Sequence, residues 1–207
     1  MLHSKKVRAS VWISLVALLS ALTILMALLR LKILFPLLPF LTFRLDEIIC
    51  VIAFLLLGLK AGLAVSFAEF LALNLGKPYH ALVGPSMKFL ALVSMILGLE
   101  FARRVKGIKE LTRVNLMVLA LFGMLFRVVV MSAATFILYY ILFPSMYLPF
   151  AEKVILKVFG VEFSTGLELT MILIILTIIF NALHTVLSVI PAASIYKFCR
   201  KLVARSS

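Results

Sequence analysis

The chain has 207 residues, 65% of them hydrophobic, and a formal net charge of +13. A soluble domain of this length cannot bury so much apolar surface, whereas a lipid bilayer accommodates it. The positive charge is typical of juxtamembrane segments that face anionic lipid headgroups, so we expect no nucleic-acid binding. The composition predicts a multi-pass protein of the cell membrane, organised as a single membrane domain over residues 1–207.

Four apolar runs are each about the 20 residues needed to span a bilayer. In chain order they are Val11–Leu29, Ala81–Phe101, Val114–Phe143 and Leu167–Tyr196. The first run follows basic residues, as the apolar region of a signal peptide does. It is too long for the apolar region of such a peptide, and no small-residue cleavage site follows it, so we expect a retained helix.

A fifth apolar run, Ile48–Leu75, is interrupted by Gly58, Lys60 and Gly62. Two glycines and a lysine are costly in the middle of a lipid-exposed helix, which favours two short helices with a turn at Lys60. Six spans place most of the 21 Lys and Arg residues on one side, as the positive-inside rule requires of the cytoplasmic side. The sequence thus predicts an all-α membrane protein with both termini in the cytoplasm. The six predicted helices cover approximately residues 10–31, 46–58, 61–75, 82–103, 113–143 and 167–197.

Three loops then face outward. Residues 30–45 are rich in Leu and Pro, residues 76–80 form a short connection, and residues 144–166 carry a short amphipathic piece, Phe150–Phe159. Prolines exclude a regular helix in the first loop, so we expect irregular loops that cap the bundle. An aromatic outer face opposite a short basic inner face suggests a ligand pocket that opens outward.

Polar side chains within spans are expensive, so each needs a partner or a function. Asp46 and Glu47 open the second predicted helix, where they either stabilise its N-terminus or face the pocket. Glu69 and Lys88 lie in the third and fourth helices. They form a buried salt bridge, contact a ligand, or do both.

Three more polar residues lie in the last two predicted spans. Arg127 either pairs with a carboxylate or lines the interior of the bundle. Asn181 and His184 are three residues apart and therefore share a helix face. His184 is either a packed side chain or a ligand contact.

Motifs for chemistry are absent from the sequence. It contains no Gly-rich phosphate loop, no intramembrane protease motif and no metal-site spacing, so we expect neither an enzyme nor a bound metal or other cofactor. Cys50 and Cys199 belong to no metal or redox spacing, and we expect both to be reduced and structural.

An ordered set of residues nevertheless resembles a known family. Phe35-Pro36, Phe43, Glu47 and the turn over residues 58–62 are followed by Val83-Gly84-Pro85, by Tyr139-Tyr140 before Pro144, and by Phe180-Asn181 before a basic tail. This order is similar to that of the S components of energy-coupling factor (ECF) vitamin importers, most of all their riboflavin-binding branch. The resemblance covers nearly the whole chain.

The resemblance implies a membrane subunit that binds a vitamin, expected to be riboflavin, from outside the cell. Such a subunit docks on a transmembrane coupling subunit that is driven by two ATP-binding cassette (ABC) ATPases. Docking would use small residues of the first helix, here Ala17 and Ala21, whose spacing also suits ordinary helix packing. The substrate-binding residues that we predict from the resemblance and the polar positions together are Phe40, Leu41, Thr42, Glu47, Glu69, Lys88, Tyr140, Asn181 and His184.

The chain departs from the riboflavin-binding pattern at several positions. His184 stands where that branch has Lys, Lys88 and Leu138 stand where it has Asn, and Leu59 replaces the proline of the turn. Alternative hypotheses are therefore an S component for a different vitamin or small metabolite, an autonomous membrane facilitator or channel, and a membrane enzyme or assembly factor.

Overall fold

In the computed structural model, which describes residues 8–29, 31–75, 82–160 and 165–206, the chain is mostly helical. The elements in chain order are α1 (Ala9–Leu28), β1 (Lys32–Phe35), β2 (Leu38–Arg44), α2 (Asp46–Leu57), α3 (Leu59–Asn74), α4 (Val83–Val105), α5 (Arg113–Phe136) with a π-helical extension (Ile137–Leu142), α6 (Pro144–Phe159) and α7 (Gly166–Ser206). The predicted loop 76–80 and the basic residues Lys5, Lys6 and Arg30 lie outside the described residues.

Four helices among the described residues are long and apolar enough to cross a membrane: α1, α4, α5 with its π-helical extension, and α7. The exposed surface of α1 is the clearest sign of a lipid environment, because only Thr23 and Ala27 of this apolar helix are buried. A monomer in water would not expose so large an apolar surface, whereas lipid chains can cover it.

The run Ile48–Leu75 forms two short helices that pack against each other, α2 of 12 residues and α3 of 16 residues. At 1.5 Å per residue they rise only about 18 and 24 Å, less than the roughly 30 Å of a hydrocarbon core. The helices separate at Gly58, whose φ of 93° is accessible to glycine at little cost. The turn was predicted at Lys60, and the structure has it two residues earlier, at Gly58.

The segment 30–45 was expected to be irregular, and this expectation is wrong for residues 32–44. Here β1 and β2 form an antiparallel hairpin, with Lys32 opposite Arg44 and Leu34 opposite Thr42. The hairpin pairs the backbone groups of this apolar segment with one another where prolines forbid a helix. The fold is therefore not purely α-helical.

The third predicted loop is also more regular than expected, because residues 144–159 form the helix α6. Pro144 occupies its first turn, where a missing N–H costs nothing, and Gly160 ends it with a left-handed φ of 68°. Ala151 and Ile155 face inward, and they pack with Leu38 of the hairpin and Leu173 of α7 in one apolar cluster.

Helices α4 and α5 pack more closely than any side chain would allow at one crossing point. A Cβ atom built on Gly98 would lie 2.4 Å from the carbonyl oxygen of Phe122 and 3.0 Å from the Cα atom of Gly123. Small residues at a crossing allow such close approach of helices in membranes. The crossing fixes the relative positions of Lys88 on α4 and Arg127 on α5.

Candidate functional site

A cavity of about 420 Å³ lies at the end of the helix bundle that carries the hairpin. Its lining residues come from β2, α2, α3, α4, α5 with its π-helical extension, α6 and α7. One side is apolar and aromatic, and we call it the aromatic wall: Phe40, Leu41, Met87, Leu138, Tyr139, Tyr147 and Phe150. The other side is polar, and we call it the polar floor: Glu47, Lys88, Arg127, Asn181 and His184. The volume falls within the roughly 300–1,000 Å³ range of small-molecule sites.

Arg127 organises one half of the polar floor. Its side chain is almost completely buried, and its Nη1 atom lies 2.6 Å from Oε2 of Glu47 at the start of α2. The Nε atom donates to Oδ1 of Asn181 at 2.9 Å, and Nη2 lies 2.9 Å from Nδ1 of His184. Arg127 therefore joins α5 to α2 and α7.

The geometry around His184 also sets its charge. A guanidinium group can only donate hydrogen bonds, so Nδ1 of His184 accepts one from Arg127 and carries no proton. The other ring nitrogen, Nε2, accepts a bond from the backbone N–H of Arg44 at 3.3 Å and lies 3.5 Å from both Oε2 of Glu47 and the carbonyl oxygen of Arg44. In this arrangement the imidazole is neutral.

Lys88 organises the other half of the polar floor. Its ammonium group contacts Oδ1 of Asp46 at 2.7 Å and also Oε1 of Glu69. Asp46 accepts two further bonds from Arg44, at 2.9 and 2.7 Å, and Glu69 accepts one from Sγ of Cys50 at 3.2 Å. These contacts tie α2, α3 and α4 to the last residue of the hairpin.

The acidic residues around the polar floor are all ion-paired, but they differ in whether they line the cavity. Glu69 and Lys88 form a buried salt bridge, and Lys88 also lines the cavity. Asp46 and Glu47 both lie in the first turn of α2, and both are ion-paired, but only Glu47 lines the cavity. Asp46 and Glu69 therefore lie behind Lys88, away from the cavity surface.

The structure brings seven of the nine predicted binding residues to the cavity surface: Phe40, Leu41, Thr42, Glu47, Lys88, Asn181 and His184. Glu69 supports the polar floor from behind. Tyr140 is the exception, since its side chain is 43% exposed and stacks on Phe136 at the outer surface of the bundle. The neighbouring Tyr139 is buried and lines the cavity in its place.

The π-helical extension of α5 explains this difference between the two tyrosines. Its wide turns, closed by a bond from the Phe143 N–H to the Leu138 carbonyl, direct Leu138 and Tyr139 into the cavity. Such turns occur frequently at functional sites, but an apolar sequence carries no signal for them.

Sequence reasoning also left Arg44, Arg127 and Tyr147 out of the binding set. Arg127 carried a usable signal, because a lone arginine in an apolar span marks a functional or paired position. Ala17 and Ala21, the predicted docking residues, are exposed on α1 and contribute nothing to the cavity.

No protein-family profile and no curated protein sequence matches the chain. A solved structure described as the S component of a bacterial ECF transporter does match. The two share 21% sequence identity over 95% of this chain and 99% of the other, with a TM-score of 0.65.

The chain has the fold of an S component. In this S-component fold, the described cavity lies between the hairpin and α4 to α7, and α1 presents an exposed apolar face. The neighbour is described as a component of a transporter and not as an enzyme.

Proposed function

We propose that this chain is the substrate-binding S component of an ECF-type importer, a multi-pass protein of the cell membrane. The observation that carries the proposal is the cavity itself, about 420 Å³ with an aromatic wall and a polar floor, within an S-component fold. A site of this kind buries a small molecule and orients it through a few polar contacts.

In the proposed topology, the chain spans the membrane six times and both of its termini lie in the cytoplasm. Helices α2 and α3 would then insert as a pair of short spans, shielded by their neighbours. The basic residues between α4 and α5, such as Lys106 and Lys109, would face the cytoplasm, as the positive-inside rule requires. The cavity would open to the outside.

Riboflavin is the first ligand to test. Its flat ring system suits a cavity bordered by Tyr139 and Tyr147, whose rings lie 5.3 Å apart, and its hydroxyl and carbonyl groups suit the polar floor. The departures at Lys88, Leu138 and His184 make another vitamin or small metabolite the alternative ligand.

We expect the protein, purified in detergent from cells that make riboflavin, to carry bound flavin in a near one-to-one ratio. Tyr139→Ala should weaken flavin binding about tenfold, because an aromatic contact contributes roughly 0.5–1.5 kcal/mol beyond its buried area. The matched control is Tyr140→Ala, which removes the same side chain from the outer surface and should leave the affinity unchanged. Absorbance of the purified protein and quenching of riboflavin fluorescence measure both effects.

A colourless protein that also fails to quench added riboflavin would reject the flavin assignment. Equal losses of flavin affinity in Tyr139→Ala and Tyr140→Ala would show that the flavin does not bind in this cavity.

Transport would depend on partners, because the sequence contains no phosphate loop with which to hydrolyse ATP. The proposed partners are a transmembrane coupling subunit and two ABC ATPases, with α1 as the docking helix. Ser14, Ala17 and Ala21 are exposed on one side of α1, so a partner helix could approach closely there.

Ala17→Phe and Ala21→Phe should therefore abolish energised uptake and leave ligand binding intact. Leu22→Phe is the matched control, since it adds an aromatic ring to an exposed position on the same helix outside the small-residue side. Uptake of radiolabelled ligand in cells that contain the complete transporter, with binding measured on the purified subunit, separates the two activities. Normal uptake by both alanine variants would exclude this face as the docking site.

A further inference from the structure

The ionised side chains around the polar floor balance one another in the part of the chain that the structure describes. Three are cations and three are carboxylates, and each cation contacts at least one carboxylate: Arg44 with Asp46, Lys88 with Asp46 and Glu69, and Arg127 with Glu47. His184 adds no charge, because its Nδ1 atom accepts a bond from Arg127. The network is therefore electrically neutral as a whole.

The carboxylate oxygens of this network all have donors already. Both oxygens of Glu47 contact Arg127, those of Glu69 contact Lys88 and Cys50, and those of Asp46 contact Lys88 and Arg44. Asp46 and Glu69 are also absent from the cavity surface. Among the residues that the structure describes, a cationic ligand would find no carboxylate at the cavity surface without a donor in contact.

Among the described residues of the polar floor, the groups that remain free are N–H donors. Lys88 has three N–H groups and gives two of them to carboxylates, and Asn181 has two and gives one to the carbonyl oxygen of Thr177. Arg127 directs all five of its N–H groups to protein atoms, including Sδ of Met95. The floor thus offers donors from Lys88 and Asn181 to the acceptor atoms of a ligand.

We propose, on the basis of the proposed function, that the cavity selects a ligand with no net charge whose acceptor atoms, such as carbonyl oxygens or ring nitrogens, face Lys88 and Asn181. A buried ion needs a counter-charge to offset its lost hydration, and each cation of this network is already ion-paired with a carboxylate. An acceptor group on a neutral ligand needs only a hydrogen bond, which the free donors supply. Organic anions and organic cations are both excluded from the substrate class.

Matched pairs of compounds test this inference on the full-length protein in detergent. Each pair consists of a neutral compound and its anionic counterpart: riboflavin and riboflavin 5′-phosphate, biotinamide and biotin, and nicotinamide and nicotinate. Ligand-induced increases in the unfolding temperature report binding. We expect the protein to be stabilised by a neutral member, and its anionic counterpart to bind at least about tenfold more weakly because the ion loses its hydration.

The reciprocal experiment changes the charge of the network without changing the cavity surface. Glu69→Gln removes one carboxylate from behind Lys88 and leaves the network with a surplus positive charge. The preference for the neutral member of the pair should then fall by about tenfold, because a unit charge within a few ångströms acts strongly in a buried site. Glu69→Asp keeps the charge and should keep the preference. Asp46→Asn removes a different carboxylate and provides the same test if Glu69→Gln does not fold.

The outcomes separate the two proposals. Stabilisation by none of the six compounds contradicts the proposed binding function and the inference with it. Equal or tighter binding of the anionic member contradicts the inference alone, and so does an unchanged preference in both Glu69→Gln and Asp46→Asn.

Discussion

Arg127→Met is expected to lower the free energy of unfolding by about 3–5 kcal/mol, the usual cost of breaking a buried ion pair by removing one partner. The variant leaves the Glu47 carboxylate with no cation in contact, at a position where none of its surface is exposed. It also removes the donor that Asn181 and His184 share. Thermal or denaturant unfolding in a fixed detergent measures the effect, and ligand binding should be lost as well.

A double variant distinguishes an unpaired charge from a loss of packing. Arg127→Met combined with Glu47→Met removes both charges and should recover much of the lost stability, because an apolar pair often replaces a buried ion pair at little cost. If the double variant is as unstable as the sum of the two single variants, the ion pair is not the source of the effect.

Gly98→Ala is expected to destabilise the protein by about 3 kcal/mol, at the upper end of the cost of overpacking. The added methyl group would lie 2.4 Å from a backbone carbonyl oxygen and 2.9 Å from Cβ of Phe126, and neither atom can move without moving α5. The two helices must separate, which also separates Lys88 from Arg127. We therefore expect weaker ligand binding in the fraction of protein that still folds.

The matched control is Gly84→Ala, on the same helix, because a Cβ atom at Gly84 meets nothing within 4 Å. Its free energy of unfolding should stay within about 0.5 kcal/mol of that of the wild type, as for most open positions. Similar unfolding curves for Gly98→Ala and wild type would show that α4 and α5 do not cross as closely as described.

The long apolar helices could be predicted from the sequence because their signal is local. A run such as Val11–Leu29 has only one stable form in a bilayer, and the helix α1 covers nearly the same residues. The interruption of Ile48–Leu75 was likewise visible in its glycines. Its position at Gly58 was not, because both Gly58 and Gly62 allow a turn, and packing decides between them.

The polar floor was partly predictable for a related reason. A charged side chain within an apolar run is so expensive that its presence alone indicates a partner or a function, which singled out Glu69, Lys88 and Arg127. Which charged residues pair with one another could not be predicted. Arg127 contacts Glu47, 80 positions away along the chain, and only the tertiary fold brings the two together.

The hairpin could not be predicted because its sequence suits several structures. Pro36 and Pro39 exclude a helix but not a strand, and the alternation that marks a strand is blurred where most residues are apolar. Its place in the fold depends on distant contacts. Phe43, for example, stacks on Phe180 of α7 with the ring centroids 4.8 Å apart.

The π-helical extension of α5 has a consequence for how this chain can change in length. Its wide turns hold more residues than an α-helix of the same rise, so they behave as an insertion that the helix has absorbed. A deletion of one residue between 137 and 142 would let the helix close into ordinary α turns. It would also rotate Leu138 and Tyr139 away from their present direction. We therefore expect insertions and deletions between Arg127 and Pro144 to change the lining of the cavity, to which Arg127, Leu138 and Tyr139 contribute.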